Sequence, residues 1–181
     1  MARECTNGGY VELAEDPGSR ARMVDVGAKE VTERIAIASG RIRLAREVIE
    51  CIRANKVPKG NVFEVARVAG IMAAKRTDEI LPLCHPLPLE SVEVHLEILQ
   101  DVVMVRVQVR THAKTGVEME ALTAVAAACL TVYDLCKPLA KGQSAVIECI
   151  QLEMKSGGRR GTFIRKNELE KEGEGSCALP S

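Results

Sequence analysis

From Val92 to Arg110 apolar and polar side chains alternate with hardly a break. Val92, Val94, Leu96 and Ile98 are separated by Glu93, His95 and Glu97, while Val103, Val105, Val107 and Val109 alternate with Met104, Arg106, Gln108 and Arg110. A period of two puts every apolar residue of a run on one face of an extended chain, so each run buries one face and wets the other. Gln100 and Asp101 lie between the runs and leave room only for a tight turn, which predicts an antiparallel hairpin. A sheet with one apolar face has to be covered, and the segments on either side supply the cover.

Those segments are helical on the near sides and extended further out. Thr32 to Leu44 alternates small or β-branched residues with Arg34, Arg41 and Arg43 and is expected to be a strand whose phase Gly40 can shift. Ala45 to Ala54 has helical composition. Asn61 followed by Glu64 has the form of a capping box before an apolar helix face of Val65, Val68, Ala69 and Met72. Thr115 and Glu118 offer a second box, opening a long alanine-rich helix that Lys137-Pro138 ends, and Ala145 to Glu153 returns as a strand. The order βααββαβ predicts an α+β fold, a ferredoxin-like sandwich with an antiparallel sheet, helices on one face and one inserted helix. The 181 residues divide into a flexible segment over 1–22, one domain over 23–164 and a flexible charged tail over 165–181.

Composition removes several classes of function. Twenty-five basic and 25 acidic residues cancel, so no global field draws in nucleic acid or an anionic membrane, and any anion site is local. Phe63, Phe163, Tyr10 and Tyr133 are all the aromatics, too few to stack single-stranded bases. Seven cysteines without a CxxC pair fit neither a disulfide framework nor a zinc ribbon and point to a reducing cytoplasm. The start of the chain lacks the apolar stretch of a signal peptide, and the longest apolar run, within Ala121 to Tyr133, is expected to be too short to span a bilayer.

Candidate chemistry gathers in four places. The loop Leu81 to Pro88 carries three prolines around Cys84 and His85, and Pro86 narrows the backbone freedom of His85, which suits it to hydrogen bonding or proton transfer rather than metal binding. Lys59 precedes the helix that Asn61 caps and shares with its free amides the ability to hold a phosphate, although a solvated surface lysine reads the same way. Lys75 and Arg76 close that helix and are taken as structural. His95 and His112 belong to a polar strand face. Glu118 and Glu120 are two residues apart and point about 200° from one another on a helix, so one pocket is not expected to take both. With Glu118 capping, Glu120 is the better candidate.

At the far end of the alanine-rich helix, Asp134 faces the negative end of the dipole and has Lys137 three residues on, an ordinary helix salt bridge in an unusual place. Glu120 and Asp134 are roughly 21 Å apart along the axis. A small pocket that uses both has to be shared between two chains. The segment KSGGRRG from Lys155 to Gly161 offers amides, glycines and three cations to a polyphosphate.

Four blocks carry a resemblance: MVDV from Met23; KGNVFEVARVAGIMAAKRT followed by LPLCHPLPL; KTGVEMEALTAVAAACLTVYDLCK; and KSGG. In them the chain resembles the cyclic pyranopterin monophosphate synthases, the molybdenum cofactor biosynthesis protein C family. The resemblance implies a substrate that is a cyclised dihydro-GTP, made by an upstream radical GTP cyclase and rearranged here with loss of pyrophosphate. It also implies a homohexamer, a trimer of dimers with the active site at the dimer interface. By motif match, Asp134 and Lys137 are implied to be catalytic, with Lys59 as the second catalytic lysine. Leu83, Cys84, His85, Met119 and Glu120 are implied to line the substrate pocket and Lys155 to bind phosphate. No tightly bound cofactor is implied beyond a loosely held Mg2+. For such chemistry a lysine shifted downward by nearby cations and burial is expected. Asn61 stands where the family motif has aspartate, and it caps a helix as well as aspartate does.

A different class of reading is open to the same residues. Ferredoxin-like folds also bind nucleotides without turning them over, so a nucleotide-sensing oligomer is the alternative to an enzyme.

Overall fold

The alternation of small and apolar residues in Ala36, Ala38, Gly40 and Ile42 makes the central strand, β1 (Thr32–Arg43). A computed structural model describes residues 21–140, 145–159 and 161–166. After β1 come α1 (Arg46–Arg53), α2 (Val62–Ala74), a single turn α3 (Thr77–Ile80), the hairpin β2 (Ser91–Leu99) and β3 (Val102–Ala113), α4 (Glu118–Cys136), β4 (Val146–Ser156) and a short β5 (Phe163–Ile164). The sheet order is β2-β3-β1-β4-β5 with every pairing antiparallel. This is the expected ferredoxin-like α+β arrangement: β3 lies between β1 and β2, and β1 between β3 and β4. The turn α3 and the edge strand β5 were not expected.

The hairpin turns at Gln100 as predicted, with a left-handed φ of 57° there. Val103, Val105, Val107 and Val109 face Ile42, Gly40, Ala38 and Ala36 across the β1–β3 ladder and are fully buried under α4. Gly40 does not shift the phase of β1. A Cβ there would lie 2.5 Å from Val125 Cγ1 and 3.0 Å from Cys129 Sγ, so the glycine marks where α4 crosses the sheet most closely. The irregularity sits in β4, which leaves Glu148 and Glu153 without partners in its ladder with β1. Such extra residues are turned to polar use. Glu153 accepts from Ser39 and Gln151, and Glu148 from Arg43.

Helix α2 is capped by Asn61, whose side chain accepts from the amides of Phe63 at 3.0 Å and Glu64 at 3.1 Å. The Glu64 carboxylate pairs with Arg67. The apolar face of α2 is not the expected one. Val62, Ala66, Gly70 and Ala74 form the buried stripe, whereas Val65, Val68 and Met72 are exposed and Ala69 is half-buried. Small residues let the helix axes approach: a Cβ on Gly70 would sit 3.2 Å from the Ala124 carbonyl oxygen of α4.

The second capping box is absent. Val117, not Thr115, is the N-cap of α4, and no side chain caps it. With the turn that follows it, α4 makes an apolar helical stretch of 22 residues, Glu118–Leu139, long enough by length and composition to cross a membrane. The expectation of too short a run counted only uninterrupted apolar residues. Half of its most apolar 18-residue window is buried inside the fold, where it serves as the core helix over the sheet. Arg165, assigned to the tail, continues β5 through its amide, which donates to the Glu153 carbonyl. The segments 1–20 and 167–181 lie outside the described residues, and so does Arg160.

Candidate active site

The residues singled out in the sequence fall into two groups, one at each end of α4. At the N-terminal end lies a cavity of about 850 Å³. One wall is the proline loop. The buried Thr77 hydroxyl donates to the Ala74 carbonyl, the Leu81 amide closes back on the Thr77 carbonyl, and the Cys84 amide on that of Leu81. At the loop's far end Thr111 donates to the Pro88 carbonyl. This framework turns Leu83, Cys84 and His85 into the cavity. Met119 and Glu120 enter from the first turn of α4, and Lys155 from the end of β4, opposite Ala36.

Glu118 and Glu120 both line this cavity, contrary to the expectation that one pocket cannot take both. The cavity wraps around the helix tip, so two side chains that point apart on the helix both reach it. Glu118, at the first helical position, pairs with Lys155 at 2.9 Å instead of capping. Glu120 is only 4% exposed, and burial, followed by the nearby Glu118 and Asp78 carboxylates, pushes its carboxyl up to about 7. Burial also raises the Cys84 thiol, with Glu120 and Asp78 adding to it. The cavity therefore holds a carboxyl that exchanges its proton near neutrality beside a thiol that stays protonated there.

Further cations complete the walls. Arg34 reaches across from β1 to donate to the carbonyls of Ala113 and Lys114, anchoring the loop before α4, and Lys114 donates to the Gly27 carbonyl at 2.7 Å. Lys29 and Arg159 also line the space. Gly157 needs its φ of 90°, and a Cβ there would fall 1.7 Å from the Glu33 carbonyl oxygen, so the glycine loop lies flat against β1. Arg34 passed for ordinary strand alternation. Lys114 stands directly before the TGVEME run, the one signal that pointed to it.

At the other end of α4, Asp134 sits between two ammonium groups. Lys59 Nζ is 2.8 Å from Oδ2 and Lys137 Nζ 2.7 Å from Oδ1. Lys59 also donates to the Asp134 carbonyl, one of those left open at the helix end. The turn that carries Lys59 closes through the Gly60 amide onto the Val57 carbonyl, and Gly60 has φ 105°. Lys137, and then Lys59, hold the Asp134 carboxyl down at about 2, and Asp134 in return raises Lys137. The lysine expected to shift downward shifts upward at Lys137, because its nearest charge is a carboxylate. This cluster is a fixed carboxylate flanked by proton-bearing amines, all partly exposed.

The two groups do not meet within one chain. Fourteen helical residues separate Glu120 from Asp134, roughly 21 Å. Among the described residues no group of three or more histidine, cysteine, aspartate or glutamate side chains is arranged to hold a metal ion.

Comparison with known proteins covers both ends of the helix. A cyclic pyranopterin monophosphate synthase of Pelotomaculum thermopropionicum is 51% identical over 155 residues, 84% of this chain and 90% of that protein. Proteins of the same name from Streptomyces griseus and Thermomicrobium roseum are 51% and 50% identical, over 83% and 84% of this chain and 84% and 92% of their own lengths. A family model matches residues 23–158, a span that takes in the lysine–aspartate cluster, the proline loop and Lys155, and by that match the chain belongs to the MoaC family.

Proposed function

We propose that this chain is a cyclic pyranopterin monophosphate synthase, a phosphorus–oxygen lyase of molybdenum cofactor (molybdopterin) biosynthesis. It converts (8S)-3',8-cyclo-7,8-dihydroguanosine 5'-triphosphate to cyclic pyranopterin monophosphate and pyrophosphate. The observation that carries the reading is identity near 50% with synthases of that name over more than four-fifths of the chain.

In this reading the cavity binds the anionic substrate. Leu83, Cys84, His85, Met119 and Glu120 surround the base and Lys155 holds a phosphate, helped by the cations beside it. Asp134, Lys137 and Lys59 carry the acid–base work. The ionised Asp134 orients both lysines, and substrate that draws Lys137 or Lys59 away from it frees the pair to exchange protons. Ring opening and reclosure need such repeated transfers. Closing the cyclic phosphate forms an oxygen bond to the α-phosphorus as the bond to pyrophosphate breaks, and cations stabilise the charge that develops there. A loosely held Mg2+ would travel with the triphosphate and supply charge neutralisation there, with no residue cage of its own in this reading.

Because the clusters lie roughly 21 Å apart, the complete site takes one end of α4 from each of two chains, within a homohexamer built as a trimer of dimers. The exposed Val65, Val68 and Met72 of α2 and Leu130 of α4 support association, since such side chains gain from being covered. The upstream partner in the reaction sequence is the radical GTP cyclase that makes the substrate. The setting is the cytoplasm, consistent with free Cys51, Cys84, Cys129, Cys136 and Cys149. The purified chain incubated with the cyclised dihydro-GTP is expected to release pyrophosphate. No release from a folded oligomer that binds the compound would favour the nucleotide sensor.

A further inference from the structure

We propose that Glu118 is a positioning residue that fixes the Lys155 ammonium in the cavity, and that Gly116 is there to make room for its carboxylate. The inference rests on the reading of Lys155 as a phosphate-binding residue. A glutamate at the first position of a helix ordinarily points to solvent and gains a little from the dipole. Glu118 instead crosses to β4 and meets Lys155 at 2.9 Å, with the two side chains only 27% and 31% exposed.

Gly116 supplies an independent observation. A Cβ there would lie 1.9 Å from Glu118 Oε2, 2.8 Å from Cδ and 3.1 Å from Oε1, so the three nearest atoms all belong to that carboxyl group. Gly116 is not among the glycines with positive φ, so its backbone does not demand glycine. Space for the folded-back carboxylate is the remaining reason. A lysine is a point charge on a flexible four-carbon stem, and holding it costs side-chain entropy that a substrate phosphate would otherwise have to supply. Glu118 meets that cost in the free protein. It also competes with the phosphate for the ammonium, so it weakens ground-state binding of the anion while keeping the cation aimed at charge that develops later.

The test uses Glu118→Gln, Gly116→Ala and Lys155→Met in the full-length protein, each checked for folding by circular dichroism. Glu118→Gln removes the charge and keeps the shape, whereas Gly116→Ala keeps the charge and displaces it. Both are expected to lower kcat by about tenfold while KM stays level or falls, a split that general structural damage does not produce. Calorimetry should show pyrophosphate binding more tightly to Glu118→Gln than to wild type and more weakly to Lys155→Met. In the Lys155→Met background, Glu118→Gln should change kcat by less than about twofold, because the two residues act as one unit. Effects that multiply, or a Gly116→Ala protein with wild-type kcat and pyrophosphate affinity, would overturn the inference. The binding arm needs no turnover: a wild-type protein that binds pyrophosphate but releases none from the substrate would defeat the enzymatic reading and leave the Glu118–Lys155 result to stand or fall by itself.

Discussion

Replacing Glu120 by glutamine should change how stability depends on pH. The carboxyl is buried at the tip of α4, near the Glu118 and Asp78 carboxylates and the Cys84 thiol, and titrates at about 7 rather than its ordinary 4.5. Between those values the folded protein holds a proton that the unfolded chain has lost, so stability falls as pH rises and levels off above about 7. That separation corresponds to at most about 3 kcal/mol, fully expressed above pH 7 and absent below the unfolded value. The carboxyl lines the cavity, and solvent there screens it, so that figure is an upper value. Glutamine carries no such proton, and whatever its amide costs in the site is independent of pH. Urea unfolding of wild type and Glu120→Gln, at one protein concentration and at half-unit pH steps, should show the stability difference moving in favour of the variant by at most about 3 kcal/mol across the range. A difference that stays flat with pH, or moves in favour of the wild type, would refute the argument that burial governs this carboxyl.

Three further outcomes follow from the geometry. Lys59→Ala and Asp134→Ala should each abolish pyrophosphate release without changing the circular dichroism spectrum, because both side chains are partly exposed, one in a turn and one in the last turn of α4; near-normal rates in both would remove the cluster from the chemistry. Gly157→Ala should destabilise the protein by about 2 kcal/mol or more in urea unfolding, since it meets both a left-handed φ and the Glu33 carbonyl. The same substitution should weaken pyrophosphate binding through the displaced loop, and wild-type stability would contradict the close packing inferred there.

The parts of the fold that were legible are those where one local signal has one structural outcome. The alternation of Val92 to Arg110 can bury only one face, and it fixed the hairpin; Asn61 can cap only the helix it precedes. Legibility failed where neighbours decide. On α2 the larger residues Val65, Val68 and Met72 looked like the core face, yet α4 comes so close that only Val62, Ala66, Gly70 and Ala74 fit between the helices. Thr115 and Glu118 had the spacing of a cap, but Lys155, 37 residues away, competes for the carboxylate. The candidate site divided in the same manner. The motifs named Asp134, Lys137 and Lys59, which the fold gathers around one carboxylate. The roles of Arg34 and Lys114 depend on carbonyls brought near by chain crossing, which no local pattern encodes.

The central claim is that opposite ends of α4 from two chains complete one site. Glu120→Ala and Asp134→Ala homomers, each inactive, should regain part of the pyrophosphate-releasing activity when co-assembled, because every hybrid interface then contains one intact site of its two. Hybrids proven by native mass spectrometry that stay as inactive as their parents would contradict it.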